Sequence, residues 1–243
     1  MTTLLLSDLH LPNTPSPLRE GFLRFLHGPA AKADAIYLLG DIFEYWIGDD
    51  VGIAEYAAEV ASLRALSEAG VRLYFMRGNR DFLLGPGFAK ATRGRLLPDP
   101  SVIEFDGLRA LLGHGDLWCT GDKAYQRWRR FSRNRLAQWL FLQLPIERRR
   151  AIAGDLRGKS REHKRYKPED IMDVDPEVIV RTMREHGVAR LIHGHTHRPA
   201  DHQLRVGNHR AQRIVLADWR EDRMEYLVAE DGQLRRVQLP PAG

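Results

Sequence analysis

Leu4-Leu5-Leu6-Ser7-Asp8-Leu9-His10 is the stretch whose reading decides the fold of this chain. Three consecutive leucines read as a strand buried on both faces, because an unbroken apolar run leaves no polar side for water. The run ends in Ser-Asp-x-His. Two residues apart on an extended chain, a carboxylate and an imidazole point the same way and can hold one cation between them. Taken alone, the same residues equally describe a strand end with a capping aspartate and a surface histidine. The choice depends on which residues stand at the ends of the other strands.

The form recurs. Ala35-Ile36-Tyr37-Leu38-Leu39 runs into Gly40-Asp41, and residues 71–76 run into Gly78-Asn79-Arg80-Asp81. Residues 108–112 run into Gly113-His114-Gly115-Asp116, and Arg190-Leu191-Ile192 into His193-Gly194-His195-Thr196-His197. Helical patterns at 18–26 and 51–69 separate the first three strands, the second with Asp49 or Asp50 as N-cap and Gly70 as its stop. Strands alternating with helices imply parallel pairing and an α/β sheet, and the carboxyl ends of such strands share one crevice. Five strand-end turns would thus bring Asp8, His10, Asp41, Asn79, His114, His195 and His197 to one edge. Each has an ordinary explanation as a turn or core residue; their joint placement does not.

These donors are oxygen and imidazole nitrogen without thiolate, which favours Mn²⁺, Fe²⁺ or Zn²⁺ over Ca²⁺. Seven are too many for one ion. Two ions roughly 3.5–4 Å apart, with one carboxylate bridging, would use them all. Asp41, from the middle strand, is the expected bridge. Asp8, His10 and His197 would complete one ion, and Asn79, His114 and His195 the other.

Further along, Asp106-Gly107 between two apolar runs marks a hairpin. A helix is expected at 82–91 and a long one at 122–144, stopped by Pro145. A short basic helix at 147–155 continues into a polar, basic stretch at 158–167. Asp175-Pro176 opens a helix to residue 186, and strands at 203–205, 213–217, 225–229 and 233–239 close the chain. With 243 residues and 43% apolar content, a large packed core is expected. No apolar run reaches the roughly 18–20 residues a bilayer span needs. The short leucine run lacks the basic flank of a secretory signal, and a single cysteine, Cys119, fits a reducing compartment. Cytosol is the expectation. Residues 122–167 hold fifteen Lys/Arg and four Asp/Glu, a local +11 against +5 for the chain, so the remainder carries −6. Such a segment suits phosphate groups, nucleic acid or an anionic membrane surface.

Asp8-x-His10, Gly40-Asp41, Gly78-Asn79, Gly113-His114-Gly115 and Gly194-His195-x-His197 resemble the five blocks of the calcineurin-like metallophosphoesterases. The resemblance implies an α/β (α+β) architecture, a β-sandwich flanked by helices, with an Mn²⁺-type dinuclear centre held by those seven residues. It implies hydrolysis of a phosphate ester or anhydride by a metal-activated hydroxide. One departure is informative. Where the family pattern has Gly-Asn-His, this chain has Gly78-Asn79-Arg80-Asp81. A guanidinium does not give up its proton, but it can clamp a phosphate bidentately. That fits a leaving group needing little protonation, such as a phosphate monoester released from a pyrophosphate.

With Leu39-Gly40-Asp41-Ile42-Phe43-Glu44-Tyr45-Trp46-Ile47-Gly48-Asp49-Asp50, the Gly-Asn-Arg-Asp variant is similar to the UDP-2,3-diacylglucosamine pyrophosphatases of lipid A biosynthesis. That resemblance covers nearly the whole chain. It implies cleavage of UDP-2,3-diacylglucosamine to 2,3-diacylglucosamine 1-phosphate and UMP, by a peripheral enzyme on the cytoplasmic face of a Gram-negative inner membrane. It implies a core of residues 1–121 and 168–243 and a basic helical cap at 122–167. It also implies that Arg80, Asp122, Ser160, Lys164 and Lys167, with Asn79 and His195, contact the substrate, and that Asn79, Arg80 and His195 steady charge in the reaction. A generalist phosphodiesterase or nucleotide pyrophosphatase with a basic lid is the rival enzyme. A nucleic-acid-binding module is the non-enzyme rival; it leaves seven ligands without a purpose, so no nucleic acid is expected.

Overall fold

The computed structural model describes residues 1–105, 107–166 and 173–240, with backbone alone at 157 and 159–166. Its strands are β1 (Thr3–Leu6), β2 (Ala35–Leu39), β3 (Arg72–Met76), β4 (Arg95–Leu96), β5 (Ser101–Phe105), β6 (Leu108–Gly113), β7 (Arg190–His193), β8 (Ala200–Val206), β9 (His209–Val215), β10 (Glu225–Glu230) and β11 (Gln233–Gln238). They form two sheets, ordered β11-β10-β1-β2-β3-β4 and β5-β6-β7-β9-β8. Helices are α1 (Pro17–His27), α2 (Asp49–Glu55), α3 (Ala57–Glu68), α4 (Pro86–Thr92), α5 (Lys123–Ser132), α6 (Arg135–Leu142), α7 (Ile146–Tyr166) and α8 (Pro176–Glu185).

The opening leucines show why the sheets stack. On a strand, successive side chains face opposite ways. Leu5 joins Tyr37, Leu39, Met76, Ala110, Leu112, Ile192 and Ile214 in the core between the sheets. Leu4 and Leu6 join Ile36 and Leu38 on the outer face, packed against Phe22 and Phe25 of α1, Leu63 of α3 and Phe88 of α4. The second sheet is covered outside by Ile179 and Met183 of α8, with Trp118. Both faces of β1 are dry, as its unbroken apolar run requires. A single open sheet is therefore not what forms: the strand ends belong to two sheets, stacked as the sandwich the resemblance implies.

Register then sets the site. β1, β2 and β3 are parallel, with Leu5, Tyr37 and Tyr74 side by side. β6, β7 and β9 are parallel in the other sheet, with Leu112, Ile192 and Ile214 side by side. Strands that start level and run the same way end level, so both sheets deliver their exit turns to one rim.

Several helix expectations are corrected. The pattern at 51–69 is broken at Tyr56, which leaves helical geometry between α2 and α3. Neither Asp49 nor Asp50 caps α2 with its side chain. Asp49 instead accepts the backbone N–H groups of Gly85 (3.0 Å) and Phe88 (3.1 Å), stabilising the start of α4. The expected helix at 122–144 divides into α5 and α6, because the Asn134 side chain accepts from the N–H groups of Leu136 and Ala137 and starts a new helix there. The two basic stretches after Pro145 form one helix, α7, that passes through Gly154 and Gly158. No helix among the described residues is long and apolar enough to cross a membrane.

Candidate metal centre

All seven candidate ligands lie at this rim. Asp8, Asp41 and His114 are buried and His10 and His197 partly so. His10 Nε2 lies 3.2 Å from His197 Nε2, and Asp8 Oδ1 lies 3.4 Å from the latter. On the other side, His114 Nε2 is 3.0 Å from Asn79 Oδ1 and 3.6 Å from Asp41 Oδ1. The Asp41 Oδ2 atom faces His10 Nδ1 at 3.9 Å. The two Asp41 oxygens thus look toward different halves of the cluster. His195 stands beside His114, ring centroids 5.0 Å apart. Asp8, His10 and His197 offer donor atoms within 4.8 Å of one another, and so do Asp8, Asp41 and His114. Asp8 therefore belongs to both groupings, alongside the Asp41 expected to bridge.

The backbone is bent to make this possible. Among the described residues, seven non-glycine residues have positive φ, and five of them are Asp8, His10, Asp41, His195 and His197. The left-handed region costs of order 1–3 kcal/mol for such residues. Here it is enforced by contacts between neighbouring turns: Asp8 N donates to Gly40 O (3.0 Å), His10 N to Asp41 O (3.0 Å) and His195 N to Asp8 Oδ2 (2.8 Å). The glycine before a ligand has a matching explanation. A Cβ on Gly78 would stand 2.1 Å from Asp41 Oδ1, and one on Gly194 2.1 Å from Asp8 Oδ2. Each glycine is where one turn passes against the carboxylate at another strand's end, Gly78 beside the β2 exit and Gly194 beside the β1 exit of the other sheet.

The donor set fits a cation. Burial alone drives a histidine to neutrality: His193, fully buried one residue before Gly194, is pushed down to about 4 by burial. His114 is equally buried, and burial acts on it the same way, yet Asp41, Asp8, Asp116 and Asp99 raise it to about 9. The cluster is so acidic that it keeps positive charge on a buried ring. Asp8 shows the complement: burial opposes its charge, but His197, His114 and His10 hold it well below the usual carboxylate range. A site that stabilises buried positive charge among oxygen and imidazole donors suits divalent metal ions.

Arg80 lies at the edge of this cluster. Its N–H donates to Asp41 Oδ1 (2.8 Å) and its guanidinium Nη1 to Glu44 Oε1 (2.9 Å), with 20% of the side chain exposed. Asp122 is the N-cap of α5, accepting from Tyr125 N at 3.0 Å. The side chains of Ser160 and Lys164, and the whole of Lys167, lie outside the described residues. Trp128 and Trp139, eleven residues apart, fall on different helices and are 36% and 56% exposed.

Four acidic residues complete the site that the strand-end reading did not assign. Asp81 is buried and accepts from the N–H groups of Gly78 (2.7 Å), Ile42 (2.7 Å) and Asp41 (3.2 Å), pinning two turns together. Asp218 Oδ2 stands 3.7 Å behind His197 Nδ1. Asp99 Oδ1 accepts from His114 N (3.1 Å). Asp116 gathers Tyr125, Arg129 and Arg133. Asp218 was findable: it comes after the apolar residues 214–217 just as Asp41 comes after β2. Asp99 has no such signal before it.

A family model for the calcineurin-like phosphoesterases matches residues 1–199. The chain belongs to that family. Within it, the chain is 48% identical over 230 residues to the UDP-2,3-diacylglucosamine hydrolase of Pseudomonas fluorescens, covering 95% of this chain and 91% of that one. It is 50% identical to the protein of the same name from Pseudomonas aeruginosa strain UCBPP-PA14 (90% and 91% covered) and 44% identical to that from Serratia proteamaculans (99% and 100%). A dimetal phosphatase from Danio rerio shares the fold, with a TM-score of 0.55, 15% identity and 100% and 99% of the two chains covered.

Proposed function

We propose that this protein is a metal-dependent hydrolase that cleaves the pyrophosphate of UDP-2,3-diacylglucosamine to 2,3-diacylglucosamine 1-phosphate and UMP. The observation that carries the reading is the joint one. Seven donors from five strand-end turns meet at one rim, in a chain about half identical over nearly its full length to proteins named for hydrolysis of that substrate.

Asp8, His10 and His197 would hold one divalent ion and Asn79, His114 and His195 the other, with Asp41 between them; Mn²⁺ is the ion this donor set and family favour. Bound there, two such ions supply Lewis-acid polarisation of phosphoryl oxygens and a water of lowered pKa. The chain's own residues do the rest. Asn79 and His195 present an amide and an imidazole to the non-bridging oxygens, and donors aimed at developing charge are where electrostatic stabilisation is largest. Arg80 adds a permanent cation, and its anchorage on Glu44 and Asp41 limits the motion needed to meet a phosphate. With no proton to give, Arg80 leaves the sugar phosphate to depart as an anion while the uridine-bearing phosphorus takes up the water oxygen and becomes UMP.

Residues 122–167 act as the cap. α5, α6 and the start of α7 expose Phe131 (61%), Leu136 (64%), Trp139 (56%), Leu140 (54%) and Ile146 (40%) beside dense positive charge. Monomeric soluble surfaces seldom gather so much apolar area unless it binds something. Acyl chains and an anionic membrane surface, with Asp122, Ser160, Lys164 and Lys167 around the sugar phosphate, are the partners this surface suits. The bilayer face concerned is the cytoplasmic side of the inner membrane, the side that the family resemblance implies.

The test is a hydrolysis assay on UDP-2,3-diacylglucosamine with Mn²⁺, Mg²⁺ or chelator in parallel. Turnover restored by Mn²⁺ and abolished by chelator is the expected result. Soluble UDP-sugars cleaved as fast as the lipid substrate would favour a generalist instead.

A further inference from the structure

We infer that Arg129 of α5 and Arg133, the residue that caps its C-terminus, are positioning residues for one half of the metal centre, reaching it through Asp116 and Asp99. The inference rests on the metal-centre reading above and adds which part of it depends on the cap.

On α5, Trp128 and Phe131 face outward, whereas Tyr125 turns inward and the Arg129 and Arg133 side chains are only 12% and 21% exposed. Both point at Asp116, which is fully buried two residues after His114. Asp116 Oδ2 accepts from Tyr125 Oη (2.7 Å), Arg129 Nε (3.0 Å) and Arg133 Nη2 (3.0 Å). Each arginine then continues to a ligand turn. Arg133 Nη2 also donates to Gly78 O at 3.2 Å, the carbonyl immediately before Asn79. Arg129 Nη2 donates to Asp99 Oδ2 at 3.3 Å, and Asp99 Oδ1 accepts from the backbone N–H of His114. The Tyr125 ring lies against His195, centroids 6.0 Å apart.

Asn79, His114 and His195 are the three residues assigned to one ion. All three are reached from this segment: Asn79 through the Gly78 carbonyl before it, His114 through Asp99, and His195 by the Tyr125 ring. Asp8, His10 and His197 are held from elsewhere: by Gly40 and Asp41 of the β2 exit, by Trp219 N donating to Asp8 O (2.9 Å) and by Asp218. The asymmetry has a physical consequence. Two arginines cannot leave Asp116 without stranding a buried carboxylate, which is strongly unfavourable. Placement of α5 and the geometry of that half-site are therefore one cooperative unit, and the other half-site meets it through the shared carboxylates, where His195 N donates to Asp8 Oδ2 (2.8 Å).

The experiment is Mn²⁺ titration of the full-length, metal-stripped protein by calorimetry, with thermal melting of the metal-free form alongside. Arg133→Met and Arg129→Met are each expected to weaken one of two Mn²⁺ affinities about 10–100-fold, the scale for outer-shell partners, and to leave the other within about twofold. Arg133→Lys should recover part of the loss. An Asp116→Asn/Arg133→Met double variant should bind little worse than either single variant, since both break one chain of contacts. Arg129→Met acts through Asp99, so it carries the test if Arg133→Met does not fold. Two wild-type affinities in folded Arg133→Met and Arg129→Met, or equal loss at both sites, would overturn the inference alone. A wild-type protein that binds fewer than two ions would overturn the metal-centre reading and this inference with it.

Discussion

His193 and His114 are both fully buried histidines at the ends of adjacent strands, yet burial pushes the first to about 4 while four surrounding carboxylates raise the second to about 9. What sets the candidate donor His114 apart from His193 is the company of acidic groups, and single residues should report on it sharply. Asp41→Asn is expected to lower kcat by about a thousandfold or more, the scale for losing a central electrostatic group, and to reduce bound metal, measured by elemental analysis after dialysis. Gly78→Ala places a methyl group against Asp41 Oδ1 and N. Forcing that contact apart is expected to cost about 1–3 kcal/mol, seen as a lowered denaturation midpoint together with lost metal. Asp218→Ala removes the carboxylate behind His197, and weaker metal binding by about tenfold is the expected pattern, with a lowered melting temperature of the metal-free protein because Arg220 and Arg223 lose their buried partner.

Helices carry the next level of control. α7 is fastened to the body at its start: Arg149 is 3% exposed and donates to Ile47 O (2.7 Å) and Asp50 Oδ1 (2.9 Å), while Arg150 reaches Glu55 (3.0 Å). The hydrogen bond from Arg149, opposed by slight burial, holds the Asp50 carboxyl below its usual value. A carboxyl lowered in the folded state contributes fully above its unfolded value of about 3.9, and the contribution disappears as pH falls through the folded value. Arg149→Met should therefore destabilise by about 1 kcal/mol at pH 7, a charged hydrogen bond discounted for the exposure of Asp50, and by less at pH 3. Urea denaturation at both pH values checks it. The same level shows what pattern reading misses. Asp122 and Asn134 are both residue types that start helices, yet the run from 122 to 144 looked continuous because Arg, Leu, Ala and Gln after Asn134 all favour helix. Only the hydrogen bonds that the Leu136 and Ala137 N–H groups donate to Asn134 Oδ1 reveal the break.

At the scale of the whole molecule, positive charge by sequence and, among the described residues, exposed large apolar side chains are both concentrated between residues 122 and 167. If that surface meets an anionic bilayer, binding to phosphatidylglycerol-containing vesicles should weaken with rising salt, since surface electrostatics are screened beyond about 10 Å at 0.1 M. Phe131→Ser with Trp139→Ser should lower vesicle binding at every salt concentration while leaving metal content unchanged. Sedimentation of the protein with vesicles reads both effects; salt-independent binding to neutral vesicles would speak against the reading.

Leu4-Leu5-Leu6 and the strand-end turns were legible from sequence because they depend on local facts: an apolar run dries both faces of a strand, and glycine with a donor residue marks an exit. Parallel strands were legible too, and with them the convergence of ligands. That the strands divide into two stacked sheets comes from which face of Leu5 meets Leu112 and Ile192, a long-range packing choice that no window of sequence contains. The supporting carboxylates divide the same way. Asp81 and Asp116 stood inside motifs that were read, but their partners are 39 and 13 residues away at Ile42 and Arg129. Sequence by itself named the candidate donors and the chemistry such donors support. Tertiary structure alone decided their grouping around Asp8 and Asp41 and the ties from α5, because distances between turns on different sheets are set by the core packed beneath them.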